Sequence, residues 1–190
     1  WKMGKKISID SATFMNKIFE VVEAQKLFSL PESKIDVLIH PNSLVHAIIH
    51  LNNGLIKFLY HETSMVIPLA NAIFDGKLNI ENLFKKKVNE NQKIADKLIF
   101  NQVDKNKFPF IKLKKIMSQY PSASIIINAA NEVLVSEFLK KKIPYMDIYK
   151  QIFSILNDRN FKKYAIKKPK NLKEIFKIDT WAKSTIRKKI

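Results

Sequence analysis

The hydrophobic pattern of the first third of the chain predicts short elements of mixed type. Residues 7–10 are interpreted as a short extended piece, and a helix is predicted over residues 12–28. Asp10 and Ser11 offer side-chain oxygens of the kind that cap a helix N-terminus. After Pro31, Ile35, Val37 and Ile39 recur at every second position, which is typical of a strand.

A β-hairpin is predicted around Asn53-Gly54, because a type I′ turn needs positive φ at both central positions. Pairing Asn52 with Leu55 places His46 opposite His61 on a polar face. Two further pairs follow from this register, Ile48 with Leu59 and His50 with Lys57. We expect the histidines to line a cleft, and the other face to meet a core; its residues are Val45, Ala47, Ile49, Leu51, Ile56, Phe58 and Tyr60.

The C-terminal third is predicted to be a bundle of helices. Apolar residues recur there at helical spacing in several stripes; they include Phe110, Leu113, Ile116 and Met117, then Ile126, Ala130, Val133 and Leu134, then Ile148, Ile152, Ile155 and Leu156. Residues 75–106 lack a clean period and are interpreted as a linker with a short helix or two. The predicted division is therefore 1–74, 75–106 and 107–190.

Composition restricts the class of protein. The 190 residues are 46% hydrophobic, enough for a globular core, and contain no cysteine, so disulfides and cysteine-ligated zinc are excluded. No apolar run is long enough to span a bilayer. The net charge of +17 suits an anionic partner such as a phosphorylated metabolite or a polyanion. Lysine, asparagine and isoleucine are all abundant, so an AT-rich genome explains this charge better than nucleic-acid binding does.

The chemistry-bearing residues lie close together near the N-terminus. A serine at a helix start offers a hydroxyl beside unpaired backbone amides, where the helix dipole favours a phosphate. One turn further on, Asn16 can donate an amide hydrogen bond and Lys17 a charge, with Glu20 on nearly the same face. A carboxylate beside a phosphate is better explained as a ligand of Mg²⁺ or Mn²⁺.

Spacing alone favours a simpler interpretation of the same residues. Lys17 and Glu20 at i, i+3 are the spacing of an ordinary exposed ion pair, and Ser11 is a common capping residue. Capped helices that carry such pairs are frequent. The pattern of residue types therefore leaves the anion site and the plain surface helix both open.

The complete string from Trp1 to Glu20, WKMGKKISIDSATFMNKIFE, resembles the signature of deoxyxylulose phosphate reductoisomerases, W-x-M-G-x-K-I-S-x-D-S-A-T-x-M-N-K-x-x-E. The resemblance continues through Val37-Leu38-Ile39-His40-Pro41 and residues 43–46. Met65 with Pro68 and Leu69 matches loosely, whereas Asn128-Ala129-Ala130-Asn131-Glu132 matches closely. In pieces, the similarity covers nearly the entire chain.

The resemblance implies roles for individual residues. It implies that Ser11, Asn16 and Lys17 bind the phosphate of the substrate, and that Glu20 is a metal ligand that also touches the substrate. Trp1 and Met3 belong to the implied flap over the substrate, with Met3, Gly4 and Met65 on the NADPH side. His46 matches a histidine of the substrate pocket and is named with Glu20 as catalytic, although a structural histidine stays possible. A metal pair of His46 with His61 has no support in the family.

The implied activity is NADPH-dependent reductive isomerisation of 1-deoxy-D-xylulose 5-phosphate to 2-C-methyl-D-erythritol 4-phosphate, with Mn²⁺ or Mg²⁺ as the metal and Co²⁺ as an alternative. The implied fold is α/β: the later part of a catalytic domain, with a site helix and an antiparallel hairpin sheet, followed by an α-helical C-terminal bundle. The resemblance also implies a homodimer that binds a small phosphorylated sugar, with no nucleic acid and no membrane. A bacterial cytoplasm is expected, with a plastid as the alternative.

Several features depart from the family pattern. With only 3 glycines there is no dinucleotide fingerprint, so the NADPH domain is expected upstream of Trp1 and the chain alone is expected to be inactive. Phe14 stands where the family usually has Met, Ile18 where it has Gly, and Thr63-Ser64 where it has Pro-Asp. Two alternatives stay open, a truncated homologue without catalysis and a basic nucleic-acid-binding module.

Overall fold

The computed structural model describes residues 3–77 and 98–190. Contacts divide the chain into two compact units. The first unit comprises the described residues up to Val37 together with Val103–Ile190, and the second comprises the described part of Leu38–Gln102. The predicted division was into residues 1–74, 75–106 and 107–190. It differs from this division by contacts, and it stays a prediction about the domains of the protein.

The first unit is built from helices. Two of them come from the N-terminal segment, α1 (Lys5–Ala12) and α2 (Met15–Leu27). Single 3₁₀ turns at Glu32–Lys34 and Pro109–Lys112 precede the C-terminal helices. Those helices confirm the helical bundle predicted from the apolar stripes; they are α4 (Leu113–Gln119), α5 (Ala123–Leu139), α6 (Tyr145–Leu156), α7 (Phe161–Ala165) and α8 (Leu172–Arg187).

Helix α5 forms the centre of the first unit. Both α6 and α8 pack against it, and α1 and α4 also contact it. Most of its apolar residues are buried, with Ile126, Ile127 and Leu134 at 0% exposure. A helix that is apolar on most of its circumference is stable only when other elements surround it. The remaining helices therefore need to bury only one face, which leaves the other face available to lysine.

The outer helices are amphipathic, as their sequence pattern predicts. Ile148, Ile152 and Ile155 of α6 recur at helical spacing and are fully buried, whereas Lys150 on the opposite face remains exposed. Helix α8 is capped by Asn171, whose side chain accepts a hydrogen bond from the backbone N–H of Glu174 at 3.0 Å. The Glu174 carboxylate in turn accepts the N–H of Lys170, at 2.8 Å.

The predicted N-terminal elements are partly wrong. Residues 7–10 are not extended but belong to α1, and the single helix predicted over 12–28 is two helices that meet at Thr13 and Phe14. Phe14 has φ 70, a left-handed conformation that ends one helix and redirects the chain into the next. Asp10 and Ser11 therefore lie in the last turn of α1 and cap no helix.

The second unit contains two small antiparallel sheets and a helix. Strands β2 (Val45–His50) and β3 (Ile56–Tyr60) form the predicted hairpin. Strands β1 (Leu38–Ile39) and β4 (Asn101–Gln102) pair with each other, so the strand predicted from Ile35 is shorter than expected. Helix α3 (Val66–Phe74) follows the hairpin and was not predicted. The short helices expected between residues 75 and 106 fall mainly on 78–97, outside the described residues.

The register predicted for the hairpin is wrong by one position. Ile48 pairs with Phe58 and His50 with Ile56, instead of Leu59 and Lys57. The loop has three residues rather than two, since the N–H of Leu51 bonds the carbonyl of Leu55. Gly54 provides the positive φ of 85 that such a loop requires. The predicted apolar face is therefore wrong as well, because Ile49 pairs with Lys57 whereas Phe58 pairs with Ile48. Phe58 is 49% exposed in the described part of the chain.

Replacement of Ile152 by Ala tests the packing of the first unit. Ile152 is fully buried, so the cavity should lower the free energy of unfolding by about 2–5 kcal/mol, measured by urea denaturation. Leu172→Ala is the matched control, because Leu172 is 69% exposed and its truncation should change the free energy by about 0.5 kcal/mol or less. Equal effects of the two changes would contradict the packing of α6 against α5.

Candidate functional site

The predicted site residues of the first unit surround the bend between α1 and α2. Buried and accessible side chains alternate through this bend. Asp10, Thr13, Met15 and Ile18 are buried, whereas Ser11 and Glu20 are exposed and both Asn16 and Lys17 are partly exposed. The buried side chains fix the backbone, and the accessible ones are presented to a ligand.

Several local contacts hold the bend. The Thr13 hydroxyl lies 3.3 Å from the carbonyl of Asp10 and accepts the N–H of Met15 at 3.4 Å. Phe14 packs against Phe108, with ring centroids 4.8 Å apart. This contact helps to offset the cost of a positive φ at a residue with a side chain, about 1–2 kcal/mol. The bend is therefore fixed on both its polar and its apolar side.

Tyr149 of α6 contacts the same bend from the core. Its hydroxyl lies 3.5 Å from the carbonyl oxygen of Thr13 and 3.4 Å from the hydroxyl of Tyr145. Burial, followed by the hydrogen bond with Tyr145, raises the pKa of Tyr149 above its usual range. The phenol consequently stays protonated and can donate to Thr13 throughout the physiological pH range.

Asn16, Lys17 and Glu20 form a polar cluster on the first turns of α2. The Asn16 amide donates to one Glu20 carboxylate oxygen at 2.6 Å, and the Lys17 ammonium donates to the other, also at 2.6 Å. The Lys17 and Glu20 side chains are 45% and 46% exposed. The ordinary ion pair expected from spacing is therefore present. The pair is accessible enough for an incoming ligand to replace Glu20 as the partner of Lys17.

Asp10 is a member of this region whose importance the sequence analysis missed. It was interpreted as a capping residue, but its carboxylate is buried and accepts a hydrogen bond from Asn131 of α5 at 2.7 Å. The second carboxylate oxygen contacts Lys6 at 2.8 Å. Asn131 lies within the N-A-A-N-E match, and this match was the feature of the sequence that could have indicated the importance of Asn131. Spacing alone could not pair two residues so far apart in sequence.

A cleft of about 850 Å³ opens beside this bend within the first unit. It brings Gly4 and Asn16 of the predicted site together with residues of α5 and α8 such as Ser124, Asn128 and Asp179. Gly4 precedes α1 in an extended conformation. Met3 is exposed, and Trp1 lies outside the described residues. The cleft has lysines and carboxylates on its walls, which suits a polar ligand.

The other predicted site residues, His46 and Met65, belong to the second unit. A register shift between Val45 and Ala47 interrupts the hairpin at His46, and its ring stacks on His61 with centroids 3.8 Å apart. The two histidines are thus neighbours, as predicted. The irregularity in β2 brings them together, whereas the predicted register does not occur. Met65 precedes α3 and is 71% exposed.

A complete metal site is not found among residues 3–77 and 98–190. No group of three histidine, aspartate or glutamate side chains there could hold an ion. Glu20 supplies one carboxylate of the type that Mg²⁺ and Mn²⁺ prefer. The described residues therefore fit one ligand of such an ion. Within the same residues, no helix is long and apolar enough to cross a membrane.

Two family profiles match the chain. The profile of the DXP reductoisomerase C-terminal domain matches residues 62–185, and that of the 1-deoxy-D-xylulose 5-phosphate reductoisomerase C-terminal domain matches residues 1–28. These two matches identify the chain as the C-terminal part of a reductoisomerase. The chain belongs to the DXP reductoisomerase family.

Similar proteins carry the same family name. A 1-deoxy-D-xylulose 5-phosphate reductoisomerase of Pelagibacter ubique is 43% identical over 92% of this chain and 44% of its own length. One from Francisella tularensis subsp. holarctica is 37% identical over 94% of this chain and 44% of its own length. The chain thus spans less than half the length of these curated relatives.

Solved structures show the same fold. The reductoisomerase from Zymomonas mobilis in complex with NADPH superposes with a TM-score of 0.81 at 30% identity, over 95% of this chain and 46% of that one. A DOX-P reductoisomerase with fosmidomycin and magnesium gives a TM-score of 0.86 at 31% identity, over 99% and 47%. These matches confirm the predicted fold class.

Stability measurements separate the buried from the accessible members of the site. Lys17→Ala should change the free energy of unfolding by about 1 kcal/mol or less, because exposed ion pairs contribute little. Asp10→Ala leaves the buried Asn131 amide without its acceptor and should cost about 1–3 kcal/mol. Urea denaturation of both variants measures the difference, and a Lys17 effect as large as the Asp10 effect would contradict this assignment.

Proposed function

We propose that the protein to which this chain belongs catalyses NADPH-dependent reductive isomerisation of 1-deoxy-D-xylulose 5-phosphate to 2-C-methyl-D-erythritol 4-phosphate, a step of non-mevalonate isoprenoid biosynthesis. The observation that carries the proposal is the accessible cluster of Asn16, Lys17 and Glu20 in a chain of this family. The NADPH and magnesium in the complexes of similar structures support the cofactor assignment.

The phosphate of the substrate is assigned to Ser11, Asn16 and Lys17. Asn16 and Lys17 supply an amide and an ammonium group in the first turn of α2, where the positive end of a helix favours an anion, and Ser11 supplies a hydroxyl from the last turn of α1. Lys17 and Asn16 now contact Glu20, but these contacts are solvent-exposed and cost little to break. Binding of the phosphate supplies energy for holding the reacting end of the sugar in place.

Glu20 is assigned as one ligand of a divalent cation, Mn²⁺ or Mg²⁺, with Co²⁺ as a further possibility. When bound, such a cation acts as a Lewis acid on substrate oxygens. Without the cation, Glu20 forms an ion pair with Lys17. The remaining ligands and the NADPH-binding fold are assigned to parts of the protein beyond this chain, since 3 glycines provide no dinucleotide fingerprint.

His46 is proposed as a residue of the substrate pocket. Met3, Gly4 and Met65 are proposed to face the cofactor. Support for Gly4 comes from its position on the cleft that also includes Asn16. Support for Met65 comes from its high exposure, which leaves its side chain available for contact with a ligand. The flap role of Trp1 stays a prediction.

A homodimer is proposed through the hairpin sheet. Ile56, Phe58 and Tyr60 lie on one face of β3 and are 50%, 49% and 40% exposed in the described part of the chain. Contiguous apolar surface of this kind commonly marks a protein interface.

The compartment is proposed to be a bacterial cytoplasm, in keeping with the bacterial origin of the relatives.

Turnover by the longest reading frame that contains this chain tests the function. NADPH oxidation is followed after addition of deoxyxylulose phosphate and Mn²⁺, for the parent and for Lys17→Ala and Glu20→Ala. Both variants should lose about 100-fold or more in kcat/KM, because they remove charges placed on the substrate and its cation. Lys140→Ala is the matched control, since Lys140 forms a similar i, i+3 pair with Glu137 on the surface.

The outcomes distinguish the hypotheses. Loss of turnover in both site variants with full activity of Lys140→Ala supports the function and the site together. A folded parent that oxidises no NADPH contradicts the function and favours a non-catalytic homologue. An active parent whose Lys17→Ala variant keeps its KM for the sugar phosphate retains the function but contradicts the phosphate assignment.

The metal dependence of Glu20→Gln gives an independent test. The neutral amide is a weaker ligand for a hard cation than a carboxylate. The Mn²⁺ concentration for half-maximal NADPH oxidation should therefore rise by about tenfold or more. Glu137→Gln should leave it unchanged, because Glu137 is paired with Lys140 and Lys142 outside the proposed site. An unchanged Mn²⁺ requirement in Glu20→Gln would exclude Glu20 as a ligand.

A further inference from the structure

We propose that Asp10 and Asn131 are positioning residues that hold Ser11 in place for the phosphate of the substrate. The proposal rests on the proposed function, since it concerns the same phosphate site. Neither residue is assigned a contact with the ligand. Their proposed effect is on the orientation of α1, and through it on the geometry of the three groups that bind the phosphate.

The hydrogen bond between the two residues is well suited to this role. Asp10 is 3% exposed and Asn131 is 0% exposed, with 2.7 Å between the Asn131 amide nitrogen and the Asp10 carboxylate oxygen. A hydrogen bond to an ionised acceptor is stronger than a neutral one, and burial shields it from water. The Asn131 carbonyl oxygen is without a partner among the described residues. The amide is therefore oriented by Asp10.

Helix α1 depends on this contact more than its neighbour does. Asp10 is the only buried residue of α1, whereas α2 buries Met15, Ile18, Val21 and Val22. Ile9 adds partial apolar packing against the core. The position of α2 is thus fixed by apolar burial, and the position of α1 mainly by one polar contact. Loss of this contact should displace the last turn of α1, which carries Asp10 and Ser11, while α2 stays in place.

The displacement would act on the site through Ser11. Ser11 follows Asp10 directly and is exposed, whereas Asn16 and Lys17 belong to α2. A phosphate bound by all three residues requires α1 and α2 in a fixed relation. Weakening the Asp10 contact should therefore reduce phosphate affinity. Gly4 precedes the opposite end of α1, so NADPH binding and the chemical step should change little.

An exchange of the two side chains tests the proposal in the longest reading frame. Asn131→Asp places two carboxylates against each other, because the two groups are now 2.7 Å apart. The double variant Asp10→Asn/Asn131→Asp restores one carboxylate and one amide. Asp10→Asn alone removes the charge with little change in shape, and it replaces Asn131→Asp if that variant does not fold. Ser122→Ala is the matched control, because Ser122, which directly precedes α5, is fully buried and its hydroxyl donates to the backbone carbonyl of Lys167 at 2.6 Å.

We expect Asn131→Asp to raise both the KM for deoxyxylulose phosphate and the inhibition constant of inorganic phosphate about tenfold. The KM for NADPH and kcat should stay within about twofold of the parent. The double variant should recover most of the loss. Ser122→Ala should lower the melting temperature without a change in KM. A merely structural role would reduce the amount of folded enzyme, which lowers the apparent kcat and leaves KM unaltered.

Suppose that the parent is active. The positioning role is then overturned if Asn131→Asp, or Asp10→Asn in its place, has the same KM and the same phosphate inhibition constant as Ser122→Ala. The proposed function then still stands. If the parent is inactive, the function is lost, and calorimetric binding of inorganic phosphate decides the positioning role. Weaker phosphate binding in the variant than in the parent supports the pair, and equal binding, or no binding to the parent, overturns it.

Discussion

The buried hydrogen bond between Asp10 and Asn131 is the constraint on which the candidate site depends. It joins a short polar helix at one end of the chain to the central helix of the bundle. A buried carboxylate is tolerated only when its oxygens are paired, and Asn131 and Lys6 provide the two partners. The apolar packing around α5 places Asn131 where α1 needs it. The stability of the bundle and the geometry of the site are therefore linked.

The bend between α1 and α2 determines where the polar side chains of the candidate site lie. Thr13 and Met15 are buried at the bend, so the neighbouring Ser11, Asn16 and Lys17 remain accessible without being loose. Phe14 adopts the positive φ that redirects the chain, and its contact with Phe108 stabilises that conformation. A rigid backbone with accessible polar side chains is the general requirement for binding a small anion in a defined orientation.

Sequence patterns predicted the elements better than their relations. The stripe of Ile148, Ile152 and Ile155 predicted α6 because helical periodicity directly reports burial of one face. The turn at Asn53-Gly54 predicted the hairpin, but a three-residue loop shifted its register by one position. The stacking of His46 on His61 arises from an irregularity in β2 that no local pattern announces. Turn residues indicate where a chain reverses, and hydrogen bonding decides how the strands align.

The sequence by itself determined the helical bundle, the hairpin and the family, because periodicity, turn chemistry and a long specific string are local properties. Only the tertiary structure decided that the predicted site helix is two helices, and that Asp10 is a buried anchor and not a cap. Both depend on partners distant in sequence, Phe108 for the bend and Asn131 for the carboxylate. An aspartate beside a serine has the same local preferences at a helix start and in a last turn, so burial by another helix had to settle its role.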